Sequence, residues 1–374
     1  MKTRFGLRVP ENYMKHKLAL LIPVFALIVS GCQDHSQQDN NPTISPEAGT
    51  NYKTGDKVTV QAHYSADLKP DSIVYLIDSV KAATIKGDAA FLLKTDTMPL
   101  GARLITAKIY QGGKNQEVST NIMLLPAKAP VEYTYKVVKV FPHDTSSFTE
   151  GLVYQDGYLY ESSGGYLDPP PGNEKANQSS LRKEDLATGK VLQKVMVDPK
   201  AFAEGISIID NKIIQLTYHE KIAYLYDKDT FKLLNTFPNN IGVEGWGLCS
   251  DGTKLYMDDS TNHIFFLDKN TSRQIGYIDV YDDKGPVNEI NELEYIKGKL
   301  YANIWKTDTI IAIDPKTGAV LEKIDLKNLY PEDKRDPHAD VLNGIAYDAK
   351  GNRIFITGKK WPHLYQVEFS PLAP

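Results

Sequence analysis

Residues 204–237 read EGISIIDNKIIQLTYHEKIAYLYDKDTFKLLNTF, and two short signatures in this stretch recur along the chain. The first, Glu204-Gly205-Ile206, has relatives in Glu150-Gly151-Leu152, Trp246-Gly247-Leu248, Glu292-Leu293-Glu294 and Asn343-Gly344-Ile345, spaced 54, 42, 46 and 51 residues apart in chain order. The second is the Asp-x-x-Thr turn at Asp227 to Thr230. It returns at Asp185 to Thr188, Asp268 to Thr271 and Asp314 to Thr317, with spacings of 42, 41 and 46, each time between two strand-like runs. Five copies of this length each hold four short strands, so the repeat predicts an all-β fold, a five-bladed β-propeller over residues 131–371.

The fifth copy stops without an Asp-x-x-Thr turn or an outer strand. An alternating run upstream, EYTYKVVKV at 132–140, is free to supply that strand and close the ring, which removes an exposed edge. Because the first strand of a propeller blade lies nearest the axis, the leading residues of the five signatures should face one channel. That expectation gathers Glu150, Glu204, Trp246, Glu292 and Asn343 into a ring. Crowded carboxylates in such a ring shift one another's proton affinity and make a functional site.

Upstream, residues 53–125 carry short alternating runs, KVTVQAHY, SIVYLI, AAFLLK, RLITAKIY and VSTNIMLL, separated by Gly-containing turns. They predict a small immunoglobulin-like β-sandwich over 51–126, with no catalytic pair in it and a spacer or docking role. Residues 126–130, PAKAP, read as a stiff linker. Residues 32–50 are polar and read as a tether. Residues 1–31 read as a signal peptide, with Lys15, His16 and Lys17 before the apolar run Leu18 to Val29, which is too short to span a bilayer. The run ends Val29-Ser30-Gly31-Cys32, which resembles the bacterial lipobox. The resemblance implies lipidation of Cys32 and a lipid-anchored protein of the bacterial cell envelope, periplasmic or outer-membrane, bound to the membrane through its N-terminus.

Forty-three basic and 47 acidic residues give a net charge of −4 with no basic tract, which argues against a nucleic-acid partner. Tyr outnumbers Phe by 22 to 12, so aromatic residues supply much of the packing of an all-β chain. Of the two cysteines, Cys249 reads as a buried thiol. The histidines fall at no zinc-binding spacing, and there is neither a phosphate-binding loop nor a G-x-S-x-G turn.

Five segments in order carry a family resemblance: FPHDTSSFTEGLVYQDGYLYESSG (141–164), FAEGI (202–206), GWGLCSDGTKLYMDDST (245–261), NELEYIKGKLYANIWKTD (291–308) and VLNGIAYDAKGNRIFITGKKWP (341–362). Together they resemble the plant and bacterial type of glutaminyl-peptide cyclotransferase. That resemblance implies an active site at one mouth of the channel, built from Phe148, Glu150, Phe202, Glu204, Trp246, Asn291, Trp305 and Lys359. Three departures stand out. Position 150 commonly carries Gln in the family and here is Glu; position 218, often Trp, is Tyr218; and DPPPGNEKANQ (168–178) is inserted, lengthening a loop near the mouth.

The implied reaction converts the N-terminal glutamine of peptides or proteins to pyroglutamate with loss of ammonia. Both reacting groups belong to one residue, so the enzyme need only hold the side chain curled, move protons and stabilise an oxyanion. Glu204 among aromatic rings is the expected general base, since desolvation raises its proton affinity. Phe148, Phe202, Tyr218, Trp246 and Trp305 are the expected walls, with Glu150 also on the substrate side, and Asn291 and Lys359 are the expected oxyanion donors. No cofactor or catalytic metal is required, although a structural divalent ion in the channel is compatible with the carboxylates there. Two other classes fit the same residues: a metal-dependent, lactonase-like propeller hydrolase and a non-catalytic peptide-binding propeller.

Overall fold

A computed structural model describes residues 41–173 and 176–372. The expected signal peptide, Cys32 and the first part of the expected tether lie outside the described residues. The described chain is all-β, its one helical element being a 3-10 turn at Glu332–Lys334.

The N-terminal part forms two sheets. Thr43–Ser45, Lys57–His63 and Phe91–Lys94 make a three-stranded sheet, and Thr50–Lys53, Lys114–Leu125, Gly101–Gln111, Ser72–Ile77 and Val80–Ile85 make a five-stranded one, each in that strand order. Alternation decides which face is buried. Val58, Val60, Ile73, Tyr75, Ile105 and Ile109 point inward from both sheets and share one core. The sandwich begins earlier than the sequence suggested. Thr43–Ser45 pairs with Gln61–His63, so this stretch is a strand and not tether; its polar composition fits an edge strand with one solvated face.

The rest of the described chain forms three four-stranded antiparallel sheets, one of eight strands and a small two-stranded ribbon, Tyr281–Asp282 with Gly285–Pro286. The first has Thr149–Gln155, Tyr158–Ser163, Ser180–Asp185 and Val191–Met196 in sequence order. The second runs from Ala203–Ile209 to Leu233–Pro238 and the third from Leu248–Ser250 to Gln274–Asp279, ordered in the same way. The eight-stranded sheet is two four-stranded halves. One is Ile290–Ile296, Lys299–Ile304, Thr309–Ile313 and Val320–Asp325; the other is Leu342–Asp348, Arg353–Gly358, His363–Pro371 and Val131–Pro142. Val131–Pro142 pairs antiparallel with His363–Pro371, from Pro142 opposite His363 to Tyr133 opposite Pro371, and parallel with Glu322–Ile324.

The leading strands of these sheets and half-sheets contact one another in a closed cycle, Thr149–Gln155 touching both Ala203–Ile209 and Leu342–Asp348. Hydrophobic clusters follow the same cycle. Tyr160 and Leu181 meet Ile206 and Ile213; Ile214 and Leu216 meet Leu248 and Leu255; Tyr256 meets Leu293 and Leu300. Ile310 and Ala312 then meet Ile345 and Ile356, and Ala346 and Phe355 return to Leu152 and Leu159. Cys249 is a free buried thiol within this packing.

The Asp-x-x-Thr turns join the third and fourth strands of their sheets. The Asp carboxylate accepts from the Thr backbone N–H and hydroxyl, at 2.9 and 2.6 Å for Asp185 and Thr188 and at 2.9 and 2.7 Å for Asp227 and Thr230. A turn that satisfies its own polar groups is why this motif repeats visibly in sequence.

The sandwich is attached by more than the 126–130 segment. Arg103 reaches Asp279 at 3.1 Å and its own Asp78 at 3.0 Å, and Leu100 N–H donates to the Thr317 carbonyl at 2.8 Å.

Pairing of Val131–Pro142 on both sides predicts a sharp boundary for truncation. A chain starting at Pro130 should fold and remain soluble, because its closing strand is intact. One starting at Phe141 should aggregate or melt well below it, because two strand edges are then exposed. Equal thermal unfolding of the two would contradict the closure.

Candidate active site

Four leading strands carry a β-bulge at the signature. Regular pairing is interrupted between Thr149 and Gly151, Ala203 and Ile206, Ile290 and Leu293, and Leu342 and Ile345. A bulge re-aims the side chain it carries. Here that residue is Glu150, Glu204, Asn291 or Asn343. The next residue meets the neighbouring leading strand: a Cβ on Gly151 would lie 2.6 Å from Ile206 N, and one on Gly205 would lie 2.6 Å from Leu248 N. Only glycine permits this approach.

The bulges correct the sequence alignment by one residue in the fourth copy. Asn291, and not Glu292, occupies the position of Glu150 and Glu204. Glu292 is buried and points across the ring, accepting the Leu152 N–H at 3.1 Å and the Ile345 N–H at 2.8 Å. It satisfies inner-strand backbone, so the expected five-residue ring loses Glu292 from the cavity. Asn343 supports the ring from behind, donating from Nδ2 to the Thr149 carbonyl at 2.9 Å and to Glu150 Oε2 at 3.3 Å.

A cavity of about 810 Å³ opens at this end, lined by Phe148, Glu150, Phe202, Glu204, Tyr218, Trp246, Asn291, Trp305 and Lys359. All nine residues selected from sequence for the catalytic and substrate-binding parts therefore share one cavity. Their rings make a continuous wall. Phe148 meets Phe202 at 6.2 Å between centroids, Phe202 meets Tyr218 at 6.1 Å, Tyr218 meets Trp246 at 6.5 Å, and Trp246 meets Trp305 edge-on at 5.5 Å. Phe202 lies over Gly164, where a Cβ would collide with its ring.

The polar side is a carboxyl pair with one cation. Lys359 Nζ lies 2.8 and 2.7 Å from the two oxygens of Glu150, both side chains being buried, and 4.7 Å from the centre of the Phe148 ring. Burial pushes the Glu150 carboxyl up to about 7 even though Lys359 pulls it down. Burial, and next the charge of Glu150, push Glu204 well above the ordinary carboxylate range. Both carboxyls thus bind protons more tightly than ordinary carboxylates, so the ionised form of Glu204 is a strong base. Trp246 Nε1 and Asn291 Oδ1 are buried with no protein partner, a donor and an acceptor left for a bound molecule.

Several lining residues were not legible in the sequence. Tyr166, whose hydroxyl donates to Glu220 at 2.8 Å, packs on Phe202 at 5.2 Å; Lys306 stands 3.8 Å over the Trp305 ring; and Asp340 closes the Lys359 side. The inserted loop contributes Asn173, Ala176 and Asn177. Insertion length alone gave a loop near the mouth, but no repeat marks these residues. Trp246 offers an indole N–H in addition to the wall that the sequence predicts.

An all-β scaffold that turns an aromatic wall and a carboxyl pair of raised proton affinity toward one mouth defines the site of an enzyme of proton-transfer chemistry. The chain belongs to the glutamine cyclotransferase family, whose family model matches residues 105–369. It is 36% identical over 236 residues to the glutaminyl-peptide cyclotransferase of Arabidopsis thaliana, covering 62% of this chain and 70% of that protein. Among solved structures, the glutaminyl cyclase of Myxococcus xanthus superposes with a TM-score of 0.58 at 32% identity, over 65% of this chain and 100% of that one.

Lys359→Met should destabilise the fold by at most about 3–5 kcal/mol, because the Glu150 carboxyl is left buried without its cation and can take up a proton instead. The sign follows from the raised folded-state proton affinity of Glu150. The loss should be small at low pH, where the group is protonated in both states, and should grow as pH rises. Urea unfolding across this range checks it, with Lys359→Met/Glu150→Gln expected to recover most of the loss.

Proposed function

We propose that this chain is a glutaminyl-peptide cyclotransferase, which closes an N-terminal glutamine to pyroglutamate and releases ammonia. The observation that carries the reading is the gathering of the nine expected site residues round one cavity with a carboxyl pair on an aromatic wall. Peptides or proteins beginning with glutamine are the substrates.

The glutamine side chain curls between Phe202, Trp246 and Trp305, placing its α-amine against its own γ-carboxamide. The amine nitrogen attacks the amide carbon as Glu204 takes the amine proton. The oxyanion accepts from the unpaired Trp246 Nε1–H and from the Asn291 Nδ2–H or the remaining N–H of Lys359, while Asn291 Oδ1 is left to accept from the substrate's N–H groups. Glu204 then gives its proton to the departing nitrogen, the carbon–nitrogen bond breaks, and ammonia leaves with the carboxylate restored. Every step uses side chains of the cavity, and none is assigned to a metal. Glu150 is engaged by Lys359 and sets the proton affinity of Glu204 through its charge. A metal-dependent hydrolase is disfavoured by the same pairing, which commits the available carboxylates to Lys359 and to each other.

The repeat, the closed cycle of leading strands and the five shared clusters support a five-bladed propeller as the scaffold. The two sheets over one core support an immunoglobulin-like class for the N-terminal sandwich, as a spacer or docking module. The lipobox at 29–32 supports a lipoprotein held in the bacterial envelope through Cys32. Cys32→Ser should abolish partition of the full chain into detergent and the mass increment at the processed N-terminus; equal partition of the two proteins would remove the anchor.

Glu204→Gln should lower kcat by about 10² to 10⁴ while KM changes little, since the amide keeps the shape but cannot accept the proton. Glu150→Gln should be mild in rate and should move the acid limb of the kcat profile to lower pH. Removing that charge lets Glu204 ionise more easily. Ammonia release from a Gln-initiated peptide measures both. Near-normal turnover of Glu204→Gln with collapse of Glu150→Gln would transfer the proton to the other carboxyl.

A further inference from the structure

Where the first four-stranded sheet meets the segment before it, three further titratable side chains come together without a role in the chemistry above. His143 lies in the segment leading to Phe148; Glu161 and Glu184 stand on the second and third strands of the sheet, diagonal neighbours on one face. All three are buried, the two carboxylates completely. One donor atom from each lies within 4.8 Å of the other two.

The hydrogen bonding leaves this cluster incomplete. His143 Nδ1 lies 2.7 Å from the Trp361 carbonyl, so it must carry the proton, and Nε2 is turned toward Glu161 Oε1 at 3.2 Å. A neutral imidazole in that tautomer points a lone pair at a carboxylate. Glu161 Oε1 also accepts from Thr149 Oγ1 at 2.6 Å, but Glu161 Oε2 and both oxygens of Glu184 have no partner at all. Arg182 is committed elsewhere, to Ser180 at 3.0 Å, Asp144 at 3.0 Å and Ser146 at 3.3 Å. A second proton on His143, favoured by the Glu161 charge beside it, would answer Glu161 but would leave both Glu184 oxygens unpaired, so the cluster still calls for a further positive charge or proton.

We propose that His143 Nε2, one oxygen of Glu161 and both oxygens of Glu184 bind one divalent transition-metal ion of the zinc class, in a closed structural site distinct from the catalytic cavity. The mixed nitrogen and oxygen set suits that class, and two carboxylates with a neutral imidazole balance its charge. A backbone carbonyl on the far ring nitrogen is the usual device that fixes a ligand histidine. With one donor atom of each residue within 4.8 Å of the others, small side-chain adjustments bring them onto one ion at about 2.0–2.2 Å. The ion would tie the Phe148 segment, through His143 and Thr149, to the Trp361 carbonyl beyond Lys359. It would thereby hold two sides of the cavity together without entering the reaction. Its competitor is a proton: in a metal-free protein, burial and next the charge of Glu161 push the Glu184 carboxyl up to about 10.

The test uses the untagged full chain, stripped with a chelator and titrated with zinc. Elemental analysis and native mass spectrometry should then show one zinc per chain. The melting temperature should rise by about 4 °C or more at zinc well above its dissociation constant. X-ray absorption should report one nitrogen and oxygen donors at about 2.0–2.2 Å with no sulfur. Glu184→Gln should lose both the stoichiometry and the shift. Because that variant could fold poorly, the wild-type spectrum and titration stand without it. A stripped protein whose melting is unmoved by zinc, or zinc held through sulfur, would overturn the site and leave a shared proton in its place.

Discussion

The close approach of neighbouring leading strands is the constraint on which the rest of this structure depends. Gly151 against Ile206, Gly205 against Leu248 and Gly247 against Asn291 leave no room for a Cβ, so the strands touch through backbone. Each contact sits beside a bulge or strand start that turns the preceding side chain toward the mouth. Ring closure and site assembly are therefore one event. Where the glycine is missing, at Glu292, the side chain fills the axis and pairs with two backbone N–H groups of other leading strands.

Burying this many carboxylates is costly unless each is answered, and the answers differ. Glu322 is met by Lys299 and by the Tyr301 hydroxyl at 2.9 Å, and Glu292 by backbone. Glu150 is met by Lys359. Glu204 has Glu150 beside it and no cation of its own, so burial, and next the charge of Glu150, raise its proton affinity. This unequal treatment of two adjacent acids is what fits Glu204 to carry a proton and Glu150 to tune it.

Much of the architecture was legible because its local requirements are written locally. The Asp-x-x-Thr turn must satisfy its own amide and hydroxyl, and the signature glycine must clear a neighbour, so both recur where sheets recur. The error at Glu292 arose because a bulge shifts side-chain direction by one residue without changing composition. Family resemblance supplied Phe148, Phe202, Asn291, Trp305 and Lys359, which periodicity alone did not single out. Tyr166, Lys306 and Asp340 reach the cavity on connections whose course no repeat dictates. The Arg103 to Asp279 contact is likewise invisible in sequence, since it joins residues 176 apart that share no motif.

Cyclisation and hydrolysis of an N-terminal glutamine both release ammonia, and they differ in the atom that attacks. The most direct measurement is therefore the mass spectrum of the product formed from a Gln-initiated peptide in ¹⁸O-labelled water with chelator present. Attack by the peptide's own α-amine at the Glu204 site predicts pyroglutamate as the sole product, with no ¹⁸O incorporated at the side-chain carbonyl. An N-terminal glutamate carrying ¹⁸O would mean that water attacks, and would contradict the account.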